Sequence, residues 1–134
     1  MIGVVRFKAG VVITGPPSPA QARIIAACDA VARATGRDIV ITCGEEEHKP
    51  DDPHTERKAF DVRVVELDPP DIIERYKRLA TDLGSRWTVI YEDPNPPSDP
   101  VLRGIWYGPS GATAAHIHIQ PVRGSEYPPV PVQP

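Results

Sequence analysis

The chain has 134 residues, a formal net charge of −3, and 40% hydrophobic against 25% charged residues. That length suits one domain with one modest core, and that balance is typical of a soluble globular protein. No long basic tract supports nucleic-acid binding, and no apolar run is long enough to suggest membrane insertion.

Met1 to Gly10 lacks a basic region followed by a long apolar stretch and a cleavage site. It does not read as a signal peptide, so synthesis in the cytoplasm is expected. The two cysteines, Cys28 and Cys43, read as buried thiols. Neither belongs to a Cys-x-x-Cys unit, which argues against an all-thiolate zinc or redox site.

Residues 3–14 are largely apolar and read as a short strand or an extended arm, ended by Gly15-Pro16-Pro17. Ser18-Pro19-Ala20-Gln21 is a helix start, with Ser18 as cap, Pro19 at the first position and Gln21 completing a capping box. The helix should run to about Thr35 and stop at Gly36, burying Ile24, Ile25, Cys28, Val31 and Ala32. Asp38 to Cys43 holds the β-branched run of a buried strand, ended by Gly44. Glu45 to Pro53 is a polar loop, the kind of segment that often carries chemistry.

Ala59 to Leu67 reads as the next strand, with Ala59, Asp61, Arg63 and Val65 on one side and Phe60, Val62 and Val64 on the other. An aspartate between Phe60 and Val62 is unusual unless it has a partner. Asp68-Pro69-Pro70-Asp71 opens a second helix over 71–83, whose apolar face is Ile72, Ile73, Tyr76, Leu79, Ala80 and Leu83. Trp87 to Tyr91 is a strand, followed directly by Glu92 and Asp93.

Four prolines between 94 and 100 argue against regular structure there, and Val101 to Tyr107 reads as a short strand before a turn at Gly108–Gly111. This region has the character of a flap or inserted hairpin. Ala115 to Gln120 is the last strand, with His116, His118 and Gln120 on one face and Ile117 and Ile119 towards the core. The division expected is one domain over 1–121 and a proline-rich tail over 122–134. The tail is either disordered or docks on a protein partner.

Zinc takes imidazole nitrogen and carboxylate oxygen, and a catalytic site keeps one position open for water. His54, Asp61 and one histidine of the His116/His118 pair make such a three-ligand set. The competing reading pairs Asp61 with Arg63 or Lys58 and leaves the histidines exposed on an edge strand.

These residues resemble those of the zinc D-Ala-D-Ala carboxypeptidase and dipeptidase family, which includes phage L-alanoyl-D-glutamate endopeptidases and shares its fold with the Hedgehog signalling domain. The family's first motif is Ser-x-His-x-x-Gly-x-Ala-x-Asp. Here Asp52, His54, Arg57, Ala59 and Asp61 occupy those places, so the histidine, alanine and aspartate match while the serine and glycine do not. Ala115-His116-Ile117-His118 is similar to the family's late His-x-His unit, especially in its Hedgehog form.

The resemblance implies an α+β fold, a small, mostly antiparallel sheet with two main helices. It makes His118 the third zinc ligand and His116 its catalytic neighbour. Trp87 to Glu92 is similar to the Hedgehog strand that ends in Tyr-Glu, which makes Glu92 the catalytic acid–base and Asp93 the second choice. Lys49 or Arg57 stands in for the family's substrate-holding arginine, and His48 is a further candidate for binding substrate or metal. The implied activity is zinc-dependent hydrolysis of a peptidoglycan stem peptide beside a D-amino acid, with delivery to the cell wall or virion by something other than a leader. Two other readings stay open: a non-catalytic zinc domain of the same fold, and a structural phage or assembly protein that docks through its tail.

Overall fold

A computed structural model describes residues 2–45, 54, 57–108 and 114–122. These residues form, in chain order, β1 (Val5–Phe7), α1 (Pro19–Thr35), β2 (Ile39–Cys43), β3 (Phe60–Arg63), α2 (Pro69–Leu83), β4 (Trp87–Glu92), α3 (Pro100–Ile105) and β5 (His116–Pro121). The five strands make one sheet in the order β1-β2-β3-β5-β4. β1 and β2 run parallel and the other neighbours antiparallel. The fold is therefore α+β with a mixed, mostly antiparallel sheet. No helix among the described residues is long and apolar enough to cross a membrane.

The helix α1 forms where its caps predict. The Ser18 side chain accepts from the Gln21 backbone N–H, and the Gln21 side chain accepts from the Ser18 N–H at 2.9 Å. Gly36 ends the helix at φ 69°, in the left-handed region that glycine takes without a steric penalty. Ile24, Cys28, Val31 and Ala32 are buried, joined by Ala20, Gln21 and Ala27, whereas Ile25 lies at the margin of the core.

α2 starts two residues earlier than the pattern suggests, at Pro69, because a proline at a first helical position loses no hydrogen bond. Its buried face contains a charge, Arg75, which is only 2% exposed. The guanidinium donates to the carbonyls of Arg63 (2.9 Å) and Asp38 (3.0 Å) and meets Glu66. Buried Arg75 thus ties the helix to the end of β3 and the approach to β2.

β3 is shorter than expected and ends at Arg63, where the Leu67 N–H donates to the Val64 carbonyl in a turn. The segment 101–107 is a correction. It is a short helix, not a strand, because the Asp99 carboxylate caps it by accepting from the N–H groups of Val101 and Leu102, with Pro100 at the first position. Trp106 then leaves the helix extended and bridges to Tyr91. Residues 109–113 of the expected turn and 123–134 of the tail lie outside the described residues.

Strand alternation divides the sheet. Ile39, Ile41, Phe60, Val62, Val89, Tyr91, Ile117 and Ile119 face the helices and are buried with Ile24, Cys28, Leu79 and Leu83. The opposite face carries the polar residues of β3 and β5.

A second polar network links Glu45, after β2, with Arg57, before β3. Glu45 accepts from the Thr14 N–H (3.1 Å), the Thr14 hydroxyl (2.7 Å), the fully buried Gln21 amide (3.0 Å) and Arg57 Nε (3.2 Å). Arg57 also donates to the Pro16 carbonyl, and its own carbonyl accepts from the Ser18 hydroxyl. Burial tends to raise the Glu45 pKa, but the bonds from Gln21, Thr14 and Arg57 outweigh it and hold the carboxyl down at about 2, against 4.5 ordinarily.

A depressed folded-state pKa contributes stability that is present above the unfolded value and is lost as pH falls towards the folded one. Acid unfolding followed by circular dichroism should therefore show stability declining from about pH 4.5 towards pH 2, and more shallowly in Glu45→Gln. At neutral pH, Glu45→Ala should cost about 1–3 kcal/mol in denaturant melts, because it leaves the buried Gln21 donor unpaired.

Candidate metal centre

Directly opposed residues of antiparallel strands project from the same face. Asp61 is opposed to His118 on β5, and Arg63 to His116. On the far side of β5, His116 is opposed to Glu92 of β4 and His118 to Ile90. β5 is therefore an inner strand. The reading that left its histidines on an exposed edge is overturned, since His116 and His118 side chains are only 14% and 13% exposed. Asp61 pairs with histidines, while Arg63 pairs with Glu66.

Cys43 joins this row through an irregularity in β2. Ile41 is paired with Val62 and Cys43 with Asp61, so β2 spends two residues where β3 spends one. In a regular strand Cys43 would share the core face of Ile39 and Ile41. The extra residue turns it to the face of Asp61, the way bulges commonly re-aim a side chain.

His54 approaches from the loop before β3 and is 3% exposed. Its Nδ1 lies 3.0 Å from the Gly44 carbonyl, which can only accept, so Nδ1–H donates there and Nε2 is the nitrogen turned towards the site. That Nε2 is 3.2 Å from His118 Nδ1 and 3.3 Å from Asp61 Oδ1. His118 Nδ1 is 2.8 Å from the same Asp61 oxygen. On its other side, His118 Nε2 lies 2.6 Å from Gln120 Oε1, while Gln120 Nε2 reaches the Pro121 carbonyl. His118 thus donates Nε2–H to Gln120 and turns Nδ1 inward.

Two imidazole nitrogens and a carboxylate oxygen converge with edges of 2.8, 3.2 and 3.3 Å. Bonds of about 2.0–2.1 Å from zinc to such atoms imply tetrahedral edges of about 3.3 Å. The donor set fits zinc in type and spacing. Each histidine also has the outer hydrogen bond, to Gly44 or Gln120, that orients metal-binding imidazoles.

The adjacent row holds His116 and Glu92. His116 Nε2 is 2.8 Å from Glu92 Oε1 and 3.7 Å from Asp61 Oδ2, and its Nδ1 faces the Ala114 carbonyl at 3.1 Å. Two groups of ligand atoms share Asp61: those of Cys43, His54 and Asp61, and those of Asp61, Glu92 and His118. Within each group the atoms lie no more than 4.8 Å apart. Asp93 is turned elsewhere, accepting from the Tyr91 hydroxyl and the Asn95 N–H. A cleft of about 390 Å³ opens over this face, lined by Cys43, Asp61, Arg63 and His116 among others.

Electrostatics match a cation-binding purpose. Burial tends to raise the Asp61 pKa, but hydrogen bonds from His118 and His54 and the nearby imidazole charge hold it far below the usual carboxylate range. Burial tends to lower both His116 and His118, but Glu92 and Asp61 respectively, acting through hydrogen bonds and charge, hold both above 6.5. Positive charge is wanted here, whether a proton or a metal supplies it.

Of the substrate-holding candidates, His48 and Lys49 lie outside the described residues, as does the motif residue Asp52. The Arg57 guanidinium is engaged by Glu45 and the Pro16 carbonyl. Arg57 occupies the motif's glycine place, and its φ of 62° is the left-handed conformation that favours glycine. The left-handed backbone is taken here by an arginine whose side chain is tied down. Searches with this chain find no matching protein-family model, curated protein or solved structure. The likeness to the zinc peptidases rests on the motif residues alone.

Two outcomes are expected. Gln120→Leu frees the outer nitrogen of His118 and should weaken zinc binding roughly 10–100-fold in competition with a chromophoric chelator, while Gln120→Glu should retain it. Because zinc must displace the His118 Nδ1 proton, binding should release protons, and calorimetric affinity should keep rising with pH through and beyond 6.5.

Proposed function

We propose that the chain is a zinc-dependent hydrolase of peptide bonds, with His54, Asp61 and His118 holding the metal and Glu92 and His116 serving the reaction. The observation that carries this reading is the convergence of His54 Nε2, Asp61 Oδ1 and His118 Nδ1 beside a separate Glu92–His116 pair. Zinc bound there would supply an electrophile for the scissile carbonyl and an acidified water at neutral pH.

A Glu92 carboxylate oxygen lies within 4.8 Å of ligand atoms of Asp61 and His118, close enough to take a proton from an attacking water and return it to the leaving amine. His116 stands beside it with both ring nitrogens hydrogen-bonded, Nδ1 to Ala114 and Nε2 to Glu92. Nε2–H is the donor available to a developing oxyanion once substrate enters.

The substrate class is proposed from the resemblance: a peptidoglycan stem peptide, cut beside a D-amino acid. With it comes the proposal of action at the cell wall or within a virion. One observation favours the non-catalytic zinc domain as the second reading, namely that Glu92 is held by His116 at 2.8 Å.

Purified protein should carry about one zinc per chain, and His118→Ala should lose it. Glu92→Gln should keep the zinc and lose cleavage of D-alanine-terminated stem peptides by about 10²–10⁴-fold, read by chromatography. Wild-type protein without metal would sink the site, and full cleavage by Glu92→Gln would remove Glu92 as the base.

A further inference from the structure

The two cysteines have opposite surroundings. Cys28 is completely buried on α1, and burial pushes its thiol up to about 12, the behaviour of an inert core residue. Cys43 is half-buried, lines the cleft, and is opposed in register to Asp61. Since Asp61 is in turn opposed to His118, the residues Cys43, Asp61 and His118 form one row across three adjacent strands. A sulfur, two imidazole nitrogens and a carboxylate oxygen are thereby offered to one side of the sheet, with Cys43 Sγ within 4.8 Å of the ligand atoms of both His54 and Asp61.

We propose that Cys43 is a fourth ligand of this centre, its thiolate closing the position that His54, Asp61 and His118 leave open. The proposal rests on the metal reading above and concerns control of that same site. Thiolate is a preferred zinc donor, and its bond of about 2.3 Å, longer than those to nitrogen or oxygen, suits the wider spacing of the sulfur. The irregularity in β2 gives Cys43 this outlook at the cost of a regular ladder, and such features recur next to functional sites.

The consequence is a competition at one position. With the thiolate bound, the set is closed like that of a structural zinc site, and with the thiolate withdrawn, a water can enter. Cys43 therefore holds the resting centre shut, and its withdrawal admits the water that Glu92 is placed to deprotonate.

Cobalt(II) loaded into the metal-free full chain tests this. Wild-type protein should show the visible bands of a four-coordinate ion together with a thiolate-to-cobalt charge-transfer band in the near ultraviolet. Cys43→Ser should keep the visible bands, lose the near-ultraviolet band and bind cobalt more weakly by about tenfold or more. Visible bands without the near-ultraviolet band in wild type, or a near-ultraviolet band unchanged in Cys43→Ser, would overturn the thiolate ligand and leave the hydrolase reading standing. No cobalt bands at all would overturn both. Should Cys43→Ser fail to fold, iodoacetamide mapping of wild type decides: bound cobalt must protect Cys43 from alkylation, and equal labelling with and without cobalt refutes the proposal.

Discussion

A carboxylate that is only 13% exposed, on a strand whose other face is core, must have its charge met by the protein itself. Asp61 is that residue, set between the fully buried Phe60 and Val62. It receives His118 from one side and His54 from above, with His116 3.7 Å from its second oxygen. The need to satisfy Asp61 explains why β5 lies beside β3 with histidines at alternate positions, and why a buried histidine closes over the end of β2. Cation binding satisfies the same need more completely than a proton does, because an ion can take all three ligand atoms at once.

The support of His54 is built differently from that of Asp61 and His118. Those two sit on paired strands, where the ladder places them. His54 belongs to the connection between β2 and β3, and its neighbour in that connection, Arg57, is fastened to Glu45 and to the carbonyl of Pro16. Glu45 in turn holds Gln21, a member of the α1 capping box. The same few residues that start the first helix therefore anchor the connection that carries His54 and Arg57. Arg57 does two jobs there: its backbone takes the left-handed turn and its side chain binds the anchor.

Much of the fold was legible because it rests on local chemistry. The Ser18–Gln21 box and Gly36 bound α1, the β-branched run marks β2, the Trp87–Tyr91 stretch marks β4, and alternation marks β5. The odd placement of Asp61 pointed to a partner, and the histidines at 54 and 118 supplied it. Four features were hidden for physical reasons. Val101 to Tyr107 has the β-branched and aromatic content of a strand, but the Asp99–Pro100 start outweighs that propensity. Arg75 falls on the apolar stripe of α2, and only the tertiary structure reveals the carbonyls that receive it. Cys43 shares the parity of Ile39 and Ile41, so its outward turn depends on a ladder irregularity that alternation cannot express. Sheet order, which makes β5 an inner strand, is likewise absent from any local pattern.

The open face carries two rows. Cys43, Asp61 and His118 share one, and Arg63, His116 and Glu92 share the next. Alternate residues on a strand are roughly 6–7 Å apart, yet a Glu92 oxygen comes within 4.8 Å of ligand atoms of Asp61 and His118, so the two rows meet at Asp61. This arrangement makes strand register the controlling variable of the whole site. A slip of β5 by one residue would turn His116 and His118 into the core and bring Ile117 and Ile119 out, an exchange the buried face forbids. The apolar residues that stabilise the sheet are therefore also the residues that hold the histidines in place, and any gain in function at this site has to be made without disturbing that pairing.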